Sequence, residues 1–175
     1  MRRITLLALA IITLSAYQAD AERYYYFDHL RTTDGIPSNT ILSTLQDKAG
    51  FMWIGTRDGL CRYDGHRFKR ISEIAQAHKM NSTTFAIAED PNGRIWFSSS
   101  TGIRFYDPYT DEAGSIGLPD GKVIMEITAD SRGNIWMASG ILFRYDTGTG
   151  GMHTYSFADS QPKMIVEDSM GTIWI

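Results

Sequence analysis

The 175-residue chain has a single cysteine, Cys61. An internal disulfide is therefore excluded, and stability must come from packing. Surrounded by alternating apolar residues, Cys61 is expected to be a small buried hydrophobe. Charge of one sign is also lacking: 17 Lys and Arg stand against 20 Asp and Glu, a formal net charge of −3. No basic stripe offers a footprint for nucleic acid. The four histidines, His29, His66, His78 and His153, show no metal-ligand spacing. No Gly-x-Ser-x-Gly elbow, P-loop or Gly-x-Gly-x-x-Gly occurs. These absences predict no catalytic residue, no metal and no cofactor for this chain. A paired-carboxylate site is spatial and is not read from spacing, but most Asp and Glu fall at repeated turn positions.

Long apolar runs are scarce too. The one present, residues 4–14, follows the basic Met1-Arg2-Arg3 and precedes Ala19 and Ala21, an A-x-A spacing. It falls short of the ~18 apolar residues of a spanning helix. Residues 1–21 are therefore expected to be a signal-peptide helix cleaved after Ala21, and the chain to be exported.

What is plentiful is aromatic side chains and glycine: four Trp, nine Tyr, eight Phe and 16 Gly. They are arranged as a repeat. Trp53, Trp96, Trp136 and Trp174 are spaced 43, 40 and 38 residues apart. Six residues before each stands an Asp: Asp47, Asp90, Asp130 and Asp168. Three before each stands a Gly: Gly50, Gly93, Gly133 and Gly171. Tyr63-Asp64, Tyr106-Asp107 and Tyr145-Asp146 follow the first three tryptophans, with one residue fewer in the third copy.

Each frame has a physical reading. Asp-x-x-Gly fits a type I turn closed by a left-handed residue, with the carboxylate accepting backbone N–H groups. Runs rich in β-branched and aromatic residues flank it, so the frame predicts a β-hairpin. A glycine (Gly59, Gly102, Gly140) then breaks the chain before a third strand, and a fourth is expected at residues 66–72 and 152–157. Four antiparallel strands in about 40 residues is the period of a propeller blade. The fold class is thus all-β. The tryptophans are expected to wedge between blades and the aspartates to shape turns. Blades are placed at residues 40–82, 83–122 and 123–162, with a lead-in at 22–39 and the start of a fourth blade at 163–175.

The first copy, Asp47 to Gly65, resembles the two-component regulator propeller repeat, matching it at Asp47, Gly50, Phe51, Trp53, Ile54, Gly55, Thr56, Gly59, Leu60, Arg62, Tyr63, Asp64 and Gly65. The lead-in Gly35-Ile36-Pro37-Ser38-Asn39 is similar to that family's N-terminal segment. Later copies depart from the pattern: Phe97-Ser98-Ser99 and Met137-Ala138-Ser139 replace Ile-Gly-Thr. The resemblance implies the N-terminal part of the periplasmic region of a hybrid two-component sensor, whose parent lies in the inner membrane and carries a histidine kinase. It implies an oligosaccharide ligand, control of polysaccharide-utilisation genes, and a homodimer in full-length form. This chain itself is expected to be a non-enzymatic, non-nucleic-acid-binding fragment that packs against the remainder of its own propeller. Its final segment, Met164 to Ile175, is then expected to present an apolar edge. Residues 23–27 are suited to an outer strand closing the ring. The alternatives are a secreted propeller enzyme of glycosidase or lactonase type, and an interaction scaffold.

Strand direction places the four Asp turns on one face and the second-to-third strand turns on the other. The second face is the expected ligand side. It holds Thr56-Arg57-Asp58, residues 99–101, the connection 73–82 and the segment 117–122. Arg57, Asp58, His78 and Lys79 are the candidate ligand-binding residues.

Overall fold

The computed structural model describes residues 25–71, 82–100, 102–118, 122–158 and 161–175. Residues 1–21, expected to be a signal peptide, and the candidate residues His78 and Lys79 lie outside them. The described residues form a single 3-10 turn, Thr32–Asp34, and fourteen strands. The first sheet contains β1 (Ile41–Gln46), β2 (Met52–Thr56), β3 (Gly59–Tyr63) and β4 (Phe68–Arg70). The second contains β5 (Thr84–Glu89), β6 (Ile95–Ser99), β7 (Gly102–Tyr106) and β8 (Ala113–Ile116). The third contains β9 (Glu126–Ala129), β10 (Asn134–Ala138), β11 (Leu142–Asp146) and β12 (Met152–Tyr155). A hairpin of β13 (Val166–Glu167) and β14 (Ile173–Trp174) follows. All pairs are antiparallel between sequence neighbours, so each sheet is a simple meander. The innermost strands β1, β5 and β9 pack against one another, and the meanders stand side by side as blades.

β8 is the strand least visible in the sequence. Its residues, Ala-Gly-Ser-Ile, carry little β propensity. Its register supplies the reason it forms. Gly114 lies opposite Phe105, and a Cβ there would stand 2.5 Å from the ring. The aromatic ring covers the glycine, and packing overrides propensity. Tyr25, Tyr26 and Phe27, in the segment suited to an outer strand, are exposed and lie in no strand.

The core consists of the contacts between blades. Fully buried Trp53 packs with Ile95, Phe97 and Tyr106 of the second sheet. Trp96 packs with Ile127, Met137 and Phe143 of the third. The geometry repeats: Trp53 meets the Tyr106 ring at 5.9 Å, and Trp96 meets Tyr145 at 5.7 Å, both tilted. Trp136 and Ala138 reach Ile165 and Ile173 of the fourth unit. Trp174, at the same position of its hairpin, is 63% exposed, and Met164 and Met170 are exposed too.

The first two blades approach closely at Gly55. A Cβ there would run into the Ser43 side chain and lie 3.0 Å from the Thr84 carbonyl. At the matching position of the second blade, the buried Ser98 Oγ accepts the Ala86 N–H at 3.0 Å. The departures from Ile-Gly-Thr are thus local solutions to one packing site.

Candidate functional site

The repeated aspartates are structural. In every frame one carboxylate oxygen closes the turn and the other holds the tryptophan. Oδ2 of Asp47, Asp90, Asp130 and Asp168 accepts the indole Nε1–H of Trp53, Trp96, Trp136 and Trp174 at 2.7, 2.9, 2.8 and 2.9 Å. Oδ1 accepts backbone N–H groups within the turn, such as Phe51 at 2.9 Å and Asn134 at 2.8 Å. The glycines of these turns have φ between 78° and 91°, where a side chain would be penalised. The hairpin register explains the six-residue spacing, because Leu45 pairs with Trp53 and so sets Asp47 beside the indole. Burial pushes the Asp130 carboxyl up, but bonds from Trp136, Asn134 and Arg132 outweigh it and hold it below its ordinary range. Asp168 is held low first by the Trp174 indole N–H.

A second set of aspartates caps the third-to-fourth strand turns at the same end. Asp64 Oδ1 accepts the His66 and Arg67 N–H groups, and Asp146 Oδ1 accepts those of Gly148 and Thr149. These backbone bonds, from Arg67 and from Thr149 foremost, lower both pKa values. This end of the sheets is therefore a row of self-satisfied turns. Among the described residues, no group of three His, Cys, Asp or Glu is placed to hold a metal ion. Cys61 is buried, and burial pushes its thiol up to about 12.

The opposite end carries the β2–β3 turn and its copies. Arg57 and Asp58 are both exposed there. Their backbone is pinned: Arg57 N–H donates to the Thr40 carbonyl at 3.1 Å, and Asp58 N–H to Thr56 Oγ1 at 3.1 Å. Thr83 Oγ1 of the second blade donates to the Arg57 carbonyl at 2.9 Å, closing the seam between the first two blades. Two rigidly carried polar side chains thus project from this end.

The third copy differs. Its turn is one residue shorter, Ser139-Gly140, and a cleft of about 460 Å³ opens between it and the entry to the fourth unit. Lys122, Met125, Ser139, Gln161 and Lys163 line it, among others. A Cβ on Gly140 would stand 3.9 Å from the Gln161 carboxamide carbon. Sequence reading identified the segment containing Lys122 but not Gln161 or Lys163, which come from the connection into the fourth unit. The shortened Trp136-to-Tyr145 interval was the available signal.

Residues 35–58 and 79–101 match the two-component regulator propeller family. Over those two stretches the chain is similar to the two-component regulator propeller repeat. A curated relative, Histidine kinase P4 of Formosa agariphila, is 34% identical over 70 residues. That match covers 39% of this chain and 5% of the kinase. In fold, this chain is similar to the extracellular domain of a B. thetaiotaomicron protein assigned as a one-component system, with TM-score 0.71, 22% identity, and coverage of 90% of this chain and 22% of that one. The extracellular domain of a protein from the same organism, assigned as a hybrid two-component system, gives 0.68 and 23% over 86% of this chain and 24% of that one. Virginiamycin B lyase from Staphylococcus aureus gives 0.64 and 19% over 77% of this chain and 47% of the lyase. The match thus spans about a twentieth of the curated relative, and this chain covers under a quarter of the two extracellular domains.

Proposed function

We propose that this chain supplies blades of a ligand-recognition propeller for a two-component sensor, exported to the periplasm, and that it has no catalytic role of its own. The observation that carries the reading is the pair of regulator propeller repeats, joined by similarity to a histidine kinase over 70 residues. The two ends of the sheets divide the labour. The Asp-turn end is consumed by internal hydrogen bonds. The opposite end presents Arg57 and Asp58 on a fixed backbone, together with the cleft beside Ser139.

In this reading an oligosaccharide binds at the second end and shifts how the propeller packs in a dimer above the membrane. That shift biases the kinase of the full sensor. A ligand can do this only by binding the two arrangements with different affinity. Glycosidase-like or lactonase-like chemistry is not supported by the repeated frame aspartates, whose carboxylates are engaged by the turns and the tryptophans.

The test is a thermal-shift screen of the chain against oligosaccharides, followed by Arg57→Ala and Asp58→Ala. The reading expects a stabilising ligand whose shift disappears in the Arg57→Ala protein while its unliganded melt is unchanged. A ligand shift that survives both substitutions would remove these residues from the site. Turnover of a screened sugar would remove the non-enzymatic reading.

A further inference from the structure

The seams between blades are not equivalent at the Arg57 end. Between the first two blades the Thr83 hydroxyl bridges to the Arg57 carbonyl and fills the gap. In the third copy the turn lacks one residue, and its Ser139 N–H is turned to the Ile141 carbonyl at 3.0 Å. The gap stays open, at a volume within the range of small-ligand sites.

The lining is chemically one-sided. Lys122 is half-buried and Lys163 exposed, one from each side of the seam. Ser139 and Gln161 add hydrogen-bonding groups, and Met125 adds an apolar wall. Among the described lining residues none is acidic. Among the described residues, Glu126 lies opposite Ala138 across the β9–β10 pair and outside the lining. The lysines also break the repeat. Counted from the frame aspartates, Lys122 matches Asn39 and Ser82, and Lys163 matches Leu42, Phe85 and Met125. At the Lys163 position a blade-packing role would favour the apolar residues found at the other copies. Two lysines lining one cleft, with no carboxylate among the described lining residues, call for an anion.

We propose that this cleft binds an anionic group, the carboxylate or sulfate of an acidic saccharide, held between Lys122 and Lys163 with Gln161 and Ser139 bonding the neighbouring ring hydroxyls. The inference deepens the sensor reading and rests on it for the sugar.

The experiment is isothermal titration calorimetry of the full chain at constant ionic strength, because surface charge contacts are screened by salt. The probes are D-glucuronate, D-glucose 6-sulfate and D-glucose. The variants are Lys163→Gln, Lys122→Gln and, as a charge-matched control on β4, Lys69→Gln. At least one anionic probe is expected to bind saturably, glucose not at all. Lys163→Gln and Lys122→Gln are each expected to weaken binding about tenfold or more, with Lys69→Gln unchanged. The sulfate and carboxylate arms identify which anion the site prefers. Absence of saturable binding by both anions overturns the inference, as does binding indifferent to Lys163→Gln with an unchanged melt. An oligosaccharide from the screen that is neutral and sensitive to Arg57→Ala but not to Lys163→Gln would also overturn it, while leaving the sensor reading standing.

Discussion

Ser131 and Glu167 tie the third blade to the fourth unit: the Ser131 N–H and Oγ donate to the two carboxylate oxygens at 2.8 and 2.7 Å. The first two blades repeat the tie, with Lys48 N–H donating to Glu89 at 3.0 Å. In both, the donor follows the frame Asp and the acceptor precedes the next frame Asp. Between the second and third blades these positions hold Pro91 and Ala129. Proline has no N–H and alanine no carboxylate, so both halves are missing together. Installing the tie with Pro91→Ser and Ala129→Glu is expected to show favourable coupling of about 0.5–1 kcal/mol in a urea double-mutant cycle. Pro91→Ser alone should destabilise slightly, by loosening the turn. Additive effects of the two substitutions would mean that the tie contributes nothing at this exposed rim.

The tryptophans separate by burial. Trp96→Phe leaves an oxygen of buried Asp90 without its indole partner and opens space in the seam. It is expected to cost about 2–4 kcal/mol by chemical denaturation. Trp174→Phe makes the same chemical change at an exposed site and should cost under about 1 kcal/mol. Equal losses would contradict the assignment of Trp96 as an inter-blade wedge.

Two glycines should fail for different reasons. Gly50 has φ 91° and open space around a Cβ, so Gly50→Ala is expected to cost roughly 1 kcal/mol of backbone strain. Gly55→Ala meets Ser43 of its own sheet and Thr84 of the adjoining blade and should cost about 1–3 kcal/mol through overpacking. A Ser43→Gly change should recover part of the second loss and none of the first. Denaturation midpoints of the four proteins decide it.

Acid should unfold the sheets from the turn end. Asp64, Asp107, Asp130, Asp146 and Asp168 all have lowered pKa values in the fold. A depressed carboxylate contributes stability that is fully present above its unfolded value, 3.8, and is lost as pH falls through the folded value. The melting temperature is therefore expected to be flat from neutral pH down to about pH 5 and to fall steeply below about pH 4. Asp130→Asn should lower the neutral-pH melt and flatten that acid limb. A melt rising toward acid would reverse the sign of the account. Over the neutral range Cys61 should resist thiol reagents until the protein unfolds, since burial holds it protonated.

The blades were legible in the sequence because their signals are local. Asp47, Gly50 and Trp53 fall within seven residues, and turn chemistry and strand alternation act over that distance. β8 was not legible, because Gly114 is a strand residue only by virtue of Phe105 above it. The roles of Arg57 and Asp58 as exposed residues on a turn followed from strand direction alone. The cleft did not follow, because Lys122 and Lys163 meet only when two repeats stand side by side. The missing residue between Trp136 and Tyr145 was visible, but its consequence is a volume, and volume is set by the neighbouring blade.

The most direct test of the division between the two ends is the ligand-induced thermal shift of one screened oligosaccharide, measured on Arg57→Ala and on Asp64→Asn. The account predicts that the shift is lost in the first protein and retained in the second, with both folded. Loss in Asp64→Asn and retention in Arg57→Ala would place the ligand at the end assigned here to structure, and would contradict it.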